Sequence, residues 1–132
     1  SQGKIMKRGL TELRKDILTH IQNSSYPLNA KEILGLLKEK PDLSTVYRAL
    51  DYLLENKLVQ DAVLSENIRY YYAFGHGHCH FVVCQNCKKA REFHVCFESN
   101  MQKQIENETN YEITGHSFYF TGICGECKKK RV

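Results

Sequence analysis

One stretch of the chain concentrates side chains that bind metal ions. Residues 76–87 read HGHCHFVVCQNC, and their three histidines recur with a period of two. In an extended strand the imidazoles would lie on one face and Cys79 on the other. Cys84 and Cys87 then form a Cys-x-x-Cys knuckle, in which each thiolate can bind one ion at about 2.3 Å. The stretch predicts half of a tetrahedral zinc site beside a second group of ligands.

A second knuckle, Cys124 and Cys127, supplies two more thiolates. Four thiolates satisfy tetrahedral zinc without an open position, which is typical of a structural site. Because 36 residues separate the knuckles, the ion would fasten distant strands, and its binding energy would be folding energy. Unrelated reduced cysteines or a redox pair are the alternative. A thioredoxin-type pair opens a helix after a strand, and neither knuckle has that context.

The elements that precede this stretch indicate a winged helix. Asn29 and Glu32 resemble a capping box, and Ser44 is a predicted N-cap. Apolar residues at helical spacing predict three helices, over residues 10–23, 29–41 and 44–56. Two strands, 58–64 and 68–74, follow with a turn at 65–67. Three helices and a β-hairpin are the plan of a winged-helix module.

The third helix of such a module lies in the major groove, so its first turn carries the candidate DNA contacts. Arg48 can bond guanine through two nitrogens, and Tyr47 can meet a thymine methyl or a phosphate. Ser44 and Thr45 suit phosphates. In the alternative, Tyr47 packs inside the domain and Arg48 is only solvated, since three-helix units also serve as plain interaction domains.

The second part of the chain mixes strands with one helix. A strand is predicted over 90–95, a helix over 97–110 and a long strand over 111–121, before the second knuckle and a basic tail at 128–131. A β-β-α-β unit tied at its open end by metal is the simplest arrangement. The chain is therefore predicted to be α+β.

Composition limits the function classes. The 132 residues are 42% hydrophobic and 26% charged, as in ordinary globular proteins, and the net charge of +4 supports nucleic-acid binding only weakly. An apolar run long enough to span a membrane and an apolar signal core are both lacking. We expect a cytoplasmic protein without a membrane partner.

These motifs, in this order, resemble the ferric uptake regulator family of metal-responsive bacterial repressors. The segments that carry the resemblance are Leu43–Leu50, His78–His80, Cys84 with Cys87, Glu92–Phe93, and His116 through Cys127. The resemblance implies a winged-helix DNA-binding domain (1–74), a dimerisation domain (75–132), structural Zn²⁺ at the four cysteines and a regulatory metal near the hinge. It also implies a homodimer on a double-stranded operator. Tyr47 and Arg48 become expected DNA contacts, with Lys7, Arg8 and Arg14 as candidate backbone contacts.

The chain departs from the family pattern in the metal-binding strand. Family members have two residues between His-x-His and the first knuckle cysteine, whereas three residues, 81–83, separate His80 from Cys84 here. Either a bulge absorbs the extra residue, or the register shifts and turns each side chain to the other face. With a bulge, the resemblance places His78 and His80 in the hinge site together with Glu92. Without one, they join a neighbouring site that uses His116, where Glu98 is the nearest carboxylate.

Two ligands that the family uses in its first domain are replaced. Tyr26 with Pro27 stands in place of a histidine, and residues 70–72, all tyrosine, cover the place of a carboxylate. This loss weakens the case for a hard octahedral iron(II) or manganese(II) site, whereas imidazoles with a thiolate at Cys79 suit zinc. Zn²⁺ is the predicted regulatory metal, and Fe²⁺ is the alternative. In the alternative interpretation, Cys79 is a small buried hydrophobic residue and not a metal ligand.

We therefore expect a homodimeric, metal-dependent transcriptional repressor of metal-homeostasis genes and not an enzyme. A peroxide-sensing, iron-dependent repressor of the same family is the first alternative. A zinc hydrolase would need His78 and His80 as catalytic ligands, but the chain lacks the His-Glu-x-x-His and deaminase signatures. A zinc-stapled interaction module that never touches DNA is the third alternative.

Overall fold

The computed structural model describes residues 11–73, 80–94, 99–116 and 118–130. Along these residues the architecture is α+β, as expected, and none of the helices is long and apolar enough to cross a membrane. The elements are α1 (Glu12–Asn23), β1 (Leu28–Asn29), α2 (Ala30–Leu36), α3 (Leu43–Glu55), β2 (Val59–Val63), β3 (Arg69–Ala73), β4 (His80–Cys84), β5 (Ala90–Phe93), α4 (Ser99–Thr109), β6 (Tyr119–Gly122) and α5 (Gly125–Lys130).

The capping box that starts α2 is confirmed. The Asn29 side chain accepts from the Glu32 backbone N–H at 2.9 Å, and Glu32 accepts from the Asn29 backbone N–H at 2.9 Å. α2 ends at Leu36, five residues before the predicted boundary at Pro41. The Lys40 ammonium donates to the carbonyls of Leu34 and Gly35, at 3.2 and 2.9 Å, in the last turn of the helix, where carbonyls lack partners within the helix.

The predicted N-cap of α3 is wrong by two residues. Asp42, and not Ser44, caps the helix by accepting from the Thr45 backbone N–H at 2.8 Å. The hydroxyls of Ser44 and Thr45 donate to the same carboxylate oxygen at 2.9 and 2.6 Å. Hydrogen bonds from the hydroxyl and N–H of Thr45 and from the hydroxyl of Ser44 lower the pKa of Asp42 to about 2. A charged cap also interacts favourably with the positive end of the helix dipole.

The three N-terminal helices enclose the larger apolar core. α1, α2 and α3 pack against one another and against the sheet β1-β3-β2. The buried residues of this core are Ile17, Ile21, Leu28, Ala30, Ile33, Leu37, Val46, Ala49, Leu50, Leu53, Val59 and Tyr71.

β2 and β3 form the predicted hairpin of the winged helix, which we call the wing (residues 59–73). They pair antiparallel from Val59 opposite Ala73 to Val63 opposite Arg69, and the 3₁₀ turn Ser65–Asn67 joins them. Glu66 and Asn67 both have φ of 61° in this turn. The two-residue strand β1, which was not predicted, pairs with β3 on the other side.

The second sheet has the strand order β5-β4-β6. β4 runs antiparallel to β5 and parallel to β6. The predicted long strand over 111–121 is wrong, because ladder pairing begins at Tyr119 and the described residues before it lie outside the sheet. The basic tail begins in α5, which runs through Lys130.

The two sheets contact each other through one face of the wing. Tyr71 points into the helical core, whereas Tyr70 and Leu64 point away from it and pack against the second sheet. From that sheet, Phe81, Val83 and Ala90 complete the smaller buried cluster. The wing is therefore covered by helices on one side and by β4 and β5 on the other.

Candidate metal centre and nucleic-acid interface

The two cysteine knuckles meet at one end of the second sheet. Cys84 ends β4, Cys87 lies in the turn that follows, Cys124 comes just after β6, and Cys127 is in α5. The second knuckle therefore opens a helix after a strand, which we did not expect from the sequence. Parallel pairing of Cys84 with Gly122 places the second knuckle beside the first. All four Sγ atoms lie within 4.8 Å of one another.

This geometry suits a tetrahedral zinc ion. Four sulfurs at about 2.3 Å from one ion are separated by about 3.8 Å, and the Sγ atoms of Cys87 and Cys124 are 3.7 Å apart. The backbone N–H groups of Cys87 and Cys124 point at the Cys84 Sγ, at 3.5 and 3.4 Å. Backbone donors of this kind stabilise a thiolate, which is the form that binds metal.

The thiol pKa values of the cluster are split. Burial raises the pKa of Cys84, but N–H donors from Cys124, Cys87 and Asn86 outweigh burial and lower it to about 6. The pKa of the Cys127 thiol is raised to about 12, chiefly by its hydrogen bond to Cys124 and secondly by burial. Protons are therefore shared unevenly among the thiols, and a bound cation would displace the remaining ones.

A pair of histidines lies at the other end of β4. The Nε2 atoms of His80 and His116 are 3.2 Å apart, and two nitrogens bound to one zinc at 2.0–2.1 Å are separated by roughly 3.0–3.4 Å. His80 is buried, whereas His116 is exposed. Gln102 of α4 reaches His116 Nδ1 at 3.5 Å, and the Phe118 ring stacks on His80 at 4.1 Å between centroids. The pair can supply two imidazole ligands to a common ion.

The ladder of β4 decides between the two predicted registers. β4 and β5 pair residue by residue from His80 opposite Phe93 to Val83 opposite Ala90, without a bulge. Paired residues share a face, so His80 lies with Phe93, and Glu92 lies with Phe81 on the face that contacts the wing. The structure therefore joins His80 to His116 and separates it from Glu92. His78, Cys79 and Glu98 lie outside the described residues.

The candidate DNA-contacting residues of α3 are on the surface. Ser44 and Arg48 are exposed, and Tyr47 is 44% exposed despite its size. Thr45 is half-buried and accepts from Arg48 Nη2 at 3.0 Å, which orients the guanidinium along the first turn. The alternative in which Tyr47 packs inside the domain disagrees with this exposure.

The candidate backbone contacts near α1 are described only in part. The Arg14 guanidinium lies 4.0 Å from the centre of the Tyr52 ring, a cation–π distance. This contact connects α1 to α3 and holds the charge near the helix surface. Lys7 and Arg8 lie outside the described residues.

Comparison with known proteins identifies the group to which this architecture belongs. Residues 6–121 match the ferric uptake regulator family. The chain belongs to that family. Its members are metal-responsive, DNA-binding regulators of transcription that act as dimers, and they are not enzymes. Family membership therefore argues against the zinc hydrolase considered above.

Individual family members align over most of their length. The chain is 31% identical to the ferric uptake regulation protein of Bacillus subtilis, covering 85% of this chain and 79% of that protein. It superposes on the crystal structure of the Vibrio cholerae ferric uptake regulator with 26% identity and a TM-score of 0.69, covering 94% and 100% of the two chains. A zinc uptake regulator complexed with zinc and DNA gives 25% identity, a TM-score of 0.55 and coverage of 98% and 91%.

Sequence reasoning missed two parts of the histidine site. Gln102 and Phe118 were not singled out, because neither a lone amide on an exposed helix nor a phenylalanine in an aromatic run signals metal binding. Their positions beside the histidines follow from the pairing of β4 with β6 and from the course of the chain after α4. The cysteine cluster nevertheless has the geometry for the expected structural zinc, and the zinc uptake regulator to which the chain is similar was solved with zinc bound.

Proposed function

We propose that this protein is a metal-dependent transcriptional repressor of metal-homeostasis genes that binds its operator as a homodimer. The observation that carries the proposal is the pair of imidazole nitrogens of His80 and His116, 3.2 Å apart. His80 begins β4, and Cys84 of the cysteine cluster ends the same strand. A closed four-thiolate site keeps its ion, whereas a site with two imidazoles and further exchangeable ligands can respond to metal supply.

The regulatory ion would act within the dimerisation half. His80 belongs to β4, and His116 lies between α4 and β6 in sequence, so one ion would hold the sheet to the segment that follows α4. Gln102 would connect α4 to the same site. Binding there would favour one arrangement of these elements and shift the population toward the form that presents both recognition helices to DNA.

Zn²⁺ is the regulatory metal that we favour, with Fe²⁺ second. The two imidazoles suit zinc, iron and copper, whereas manganese and magnesium prefer oxygen ligands. His78, Cys79 and Glu98 remain the proposed additional ligands. We also keep the domain boundary at residues 74 and 75 as a proposal, since β3 ends at Ala73 and β4 begins at His80.

DNA recognition would depend on the first turn of α3. Arg48 and Tyr47 are the proposed base contacts, Ser44 and Thr45 the proposed phosphate contacts, and Arg14 a proposed backbone contact. Loss of a side chain that bonds a base through two nitrogens costs about 1–3 kcal/mol and relaxes specificity at that base. Arg48→Ala should therefore weaken operator binding roughly 10- to 100-fold, whereas Lys57→Ala, after the end of α3, should have a small effect.

The test is operator affinity as a function of the regulatory metal. A duplex selected from a random pool in the presence of zinc serves as the probe, and fluorescence anisotropy measures its affinity for protein that holds one zinc per chain. Added Zn²⁺, or Fe²⁺ without oxygen, should raise the affinity. Equal affinity with and without added metal would contradict the proposal. Histidine oxidation after peroxide treatment of the iron-loaded protein, detected by mass spectrometry, would favour the peroxide-sensing alternative.

A further inference from the structure

The wing is tied to the turn that carries the first cysteine knuckle. Tyr70 of β3 is fully buried, and its hydroxyl donates to the backbone carbonyl of Lys88. The Lys88 ammonium donates to Glu66 in the wing turn at 2.6 Å and to the Gln85 carbonyl at 2.6 Å. Two side chains of the wing thus meet one residue next to Cys87.

The backbone of this turn is held in a defined shape. Lys88 has φ of 67°, which only a small fraction of residues other than glycine adopt. Its N–H donates to the Cys84 carbonyl at 3.0 Å, and the Cys84 N–H donates to the Lys89 carbonyl at 3.0 Å. An ion on Cys84 and Cys87 would fix the same turn and would therefore fix the carbonyl that Tyr70 contacts.

Apolar packing surrounds these polar contacts. The Tyr72 and Phe81 rings are 5.3 Å apart, and Tyr70 is buried with Val83 and Ala90. On the far side of the knuckle, the Arg91 guanidinium lies 5.8 Å from the Tyr26 ring centre. Tyr26 with Pro27, and the three tyrosines at 70–72, stand where the family resemblance implies metal ligands. Direct contacts therefore occupy the region that a hinge metal would bridge.

The docked wing leaves the recognition helix accessible. A cavity of about 480 Å³ separates Tyr47 from Cys87 and Lys88, and the exposed side chains of Ser44 and Arg48 remain on the surface. The arrangement is compatible with DNA binding at the first turn of α3.

We propose that Tyr70, Glu66 and Lys88 form a latch that fastens the wing to the Cys84–Cys87 turn and so sets the orientation of the DNA-binding half from the structural metal site. The latch joins the two halves without a hinge metal. It rests on the proposed DNA-binding function only for its effect on operator affinity, since its effect on the wing can be measured without DNA.

For Glu66→Gln, simple electrostatics and the latch predict opposite changes in DNA affinity. Glu66→Gln removes a negative charge, which by electrostatics alone strengthens binding to the phosphate backbone. The latch predicts the opposite result. A wing released from the Cys84–Cys87 turn no longer holds the DNA-binding half in the orientation that suits the operator. A partly exposed ion pair contributes a small free energy, so we expect affinity to fall about 3-fold. Glu55→Gln, at an exposed carboxylate at the end of α3, makes the same charge change away from the latch and is the matched control.

Two further variants complete the design. Lys88→Met removes the same ion pair and also the hydrogen bond to the Gln85 carbonyl, so its loss should be at least as large as that of Glu66→Gln. The double variant should lose no more than Lys88→Met alone, since both changes remove the same ion pair. Tyr70→Phe keeps the buried ring and removes the hydroxyl, and a lost hydrogen bond predicts a fall of about 5-fold. Lys89→Met is the control for the charge removed at position 88.

Amide hydrogen exchange in the wing measures the effect of the latch without DNA. In full-length protein with one zinc per chain, the amides of residues 64–70 should exchange about 3-fold faster in Glu66→Gln and Lys88→Met than in the control variants. Unchanged exchange, or operator affinity in Glu66→Gln equal to or above that of Glu55→Gln, would overturn the latch. If the wild-type protein bound no duplex at all, the proposed function would fail while the exchange measurement still tested the latch.

Discussion

The helical half and the cysteine-bearing half of this protein differ in how they are held together. Twelve buried residues form the core under the wing and the three N-terminal helices. In the smaller cluster, the second half contributes Phe81, Val83 and Ala90, and the wing contributes the rest of the buried side chains. Exposed large hydrophobic residues are concentrated in the second half, at Met101, Ile105, Tyr111, Tyr119 and Phe120.

This difference has a physical consequence. Because most buried apolar residues of the described part of the chain belong to the first half, we expect apolar burial to be the main source of its stability. The second half contributes few residues to a buried cluster, so we expect a metal on the four cysteines and a partner chain to supply much of its stability. If so, metal supply and dimer formation would act on the half that carries the proposed metal sites, while the proposed recognition helix would stay on a unit that folds without metal.

The largest expected effect comes from breaking the cysteine cluster. Cys84→Ser removes the most buried thiolate, so the protein should lose its tightly bound zinc and the second half should unfold, while the helices of the first half persist. Zinc content and far-ultraviolet circular dichroism measure the two effects. Cys96→Ser, outside the knuckles, is the control. A fully folded, zinc-free Cys84→Ser protein would show that the second half does not depend on the ion.

A smaller effect is expected at the histidine pair. His80→Ala removes one of two imidazoles and should lower the affinity for the regulatory ion at least 10-fold, by analogy with the cost of losing a supporting metal contact. The structural zinc and the fold should remain. Isothermal titration of zinc-loaded protein measures the change, and His94→Ala, at an exposed histidine after β5, is the control. Unchanged binding would remove His80 from the regulatory site.

Alkaline pH should destabilise the wing on both of its faces, at Tyr70 and at Tyr71. Burial raises the pKa of Tyr70 and that of Tyr71 from 10.0 to about 12. Because the unfolded chain loses these protons first, their contribution to stability is complete below pH 10 and declines between pH 10 and 12. Urea denaturation across this range should show a steeper decline in wild type than in Tyr70→Phe. Tyr111→Phe, at a ring that is 74% exposed, should leave the slope unchanged.

The smallest effect concerns the first half alone. Asn29→Ala removes one side of the capping box of α2 and should destabilise the helical half by about 1 kcal/mol. Zinc content should not change, since Asn29 is not one of the four residues of the cysteine cluster. Asn23→Ala, at the end of α1, is the control for the amide. Loss of zinc in Asn29→Ala would show that the two halves do not have separate sources of stability.

Local signals in the sequence predicted much of this architecture. The helices, the capping box at Asn29 and the hairpin of the wing follow from periodicity and turn residues over short distances. Asp42 displaced Ser44 as the cap of α3 because a carboxylate can accept from Ser44 and Thr45 at once. A strand was predicted over 111–121 from β-propensity, but a strand also needs a partner, and β4 provides one only from Tyr119 onward.

In the candidate site, too, the sequence predicted the local features and missed those that depend on long-range pairing. The cysteine cluster could be predicted because each Cys-x-x-Cys pair is a local signal and two such pairs supply the four thiolates of one zinc site. The partner of His80 could not be chosen from the sequence, since it depends on how β4 aligns with β5 and with the segment before β6. The regular ladder places Glu92 on the opposite face of the sheet from His80. The segment before β6 brings His116 to 3.2 Å from His80.

Hydrogen exchange of the metal-free wild-type protein tests the different origins of stability most directly. Zinc is removed with a chelator under reducing conditions, and exchange is followed in peptides from both halves. We predict that residues 12–55 keep their protection while residues 80–94 and 118–130 lose it, and that added zinc restores it. Equal loss of protection in both halves, or protection of the second half without metal, would contradict this account.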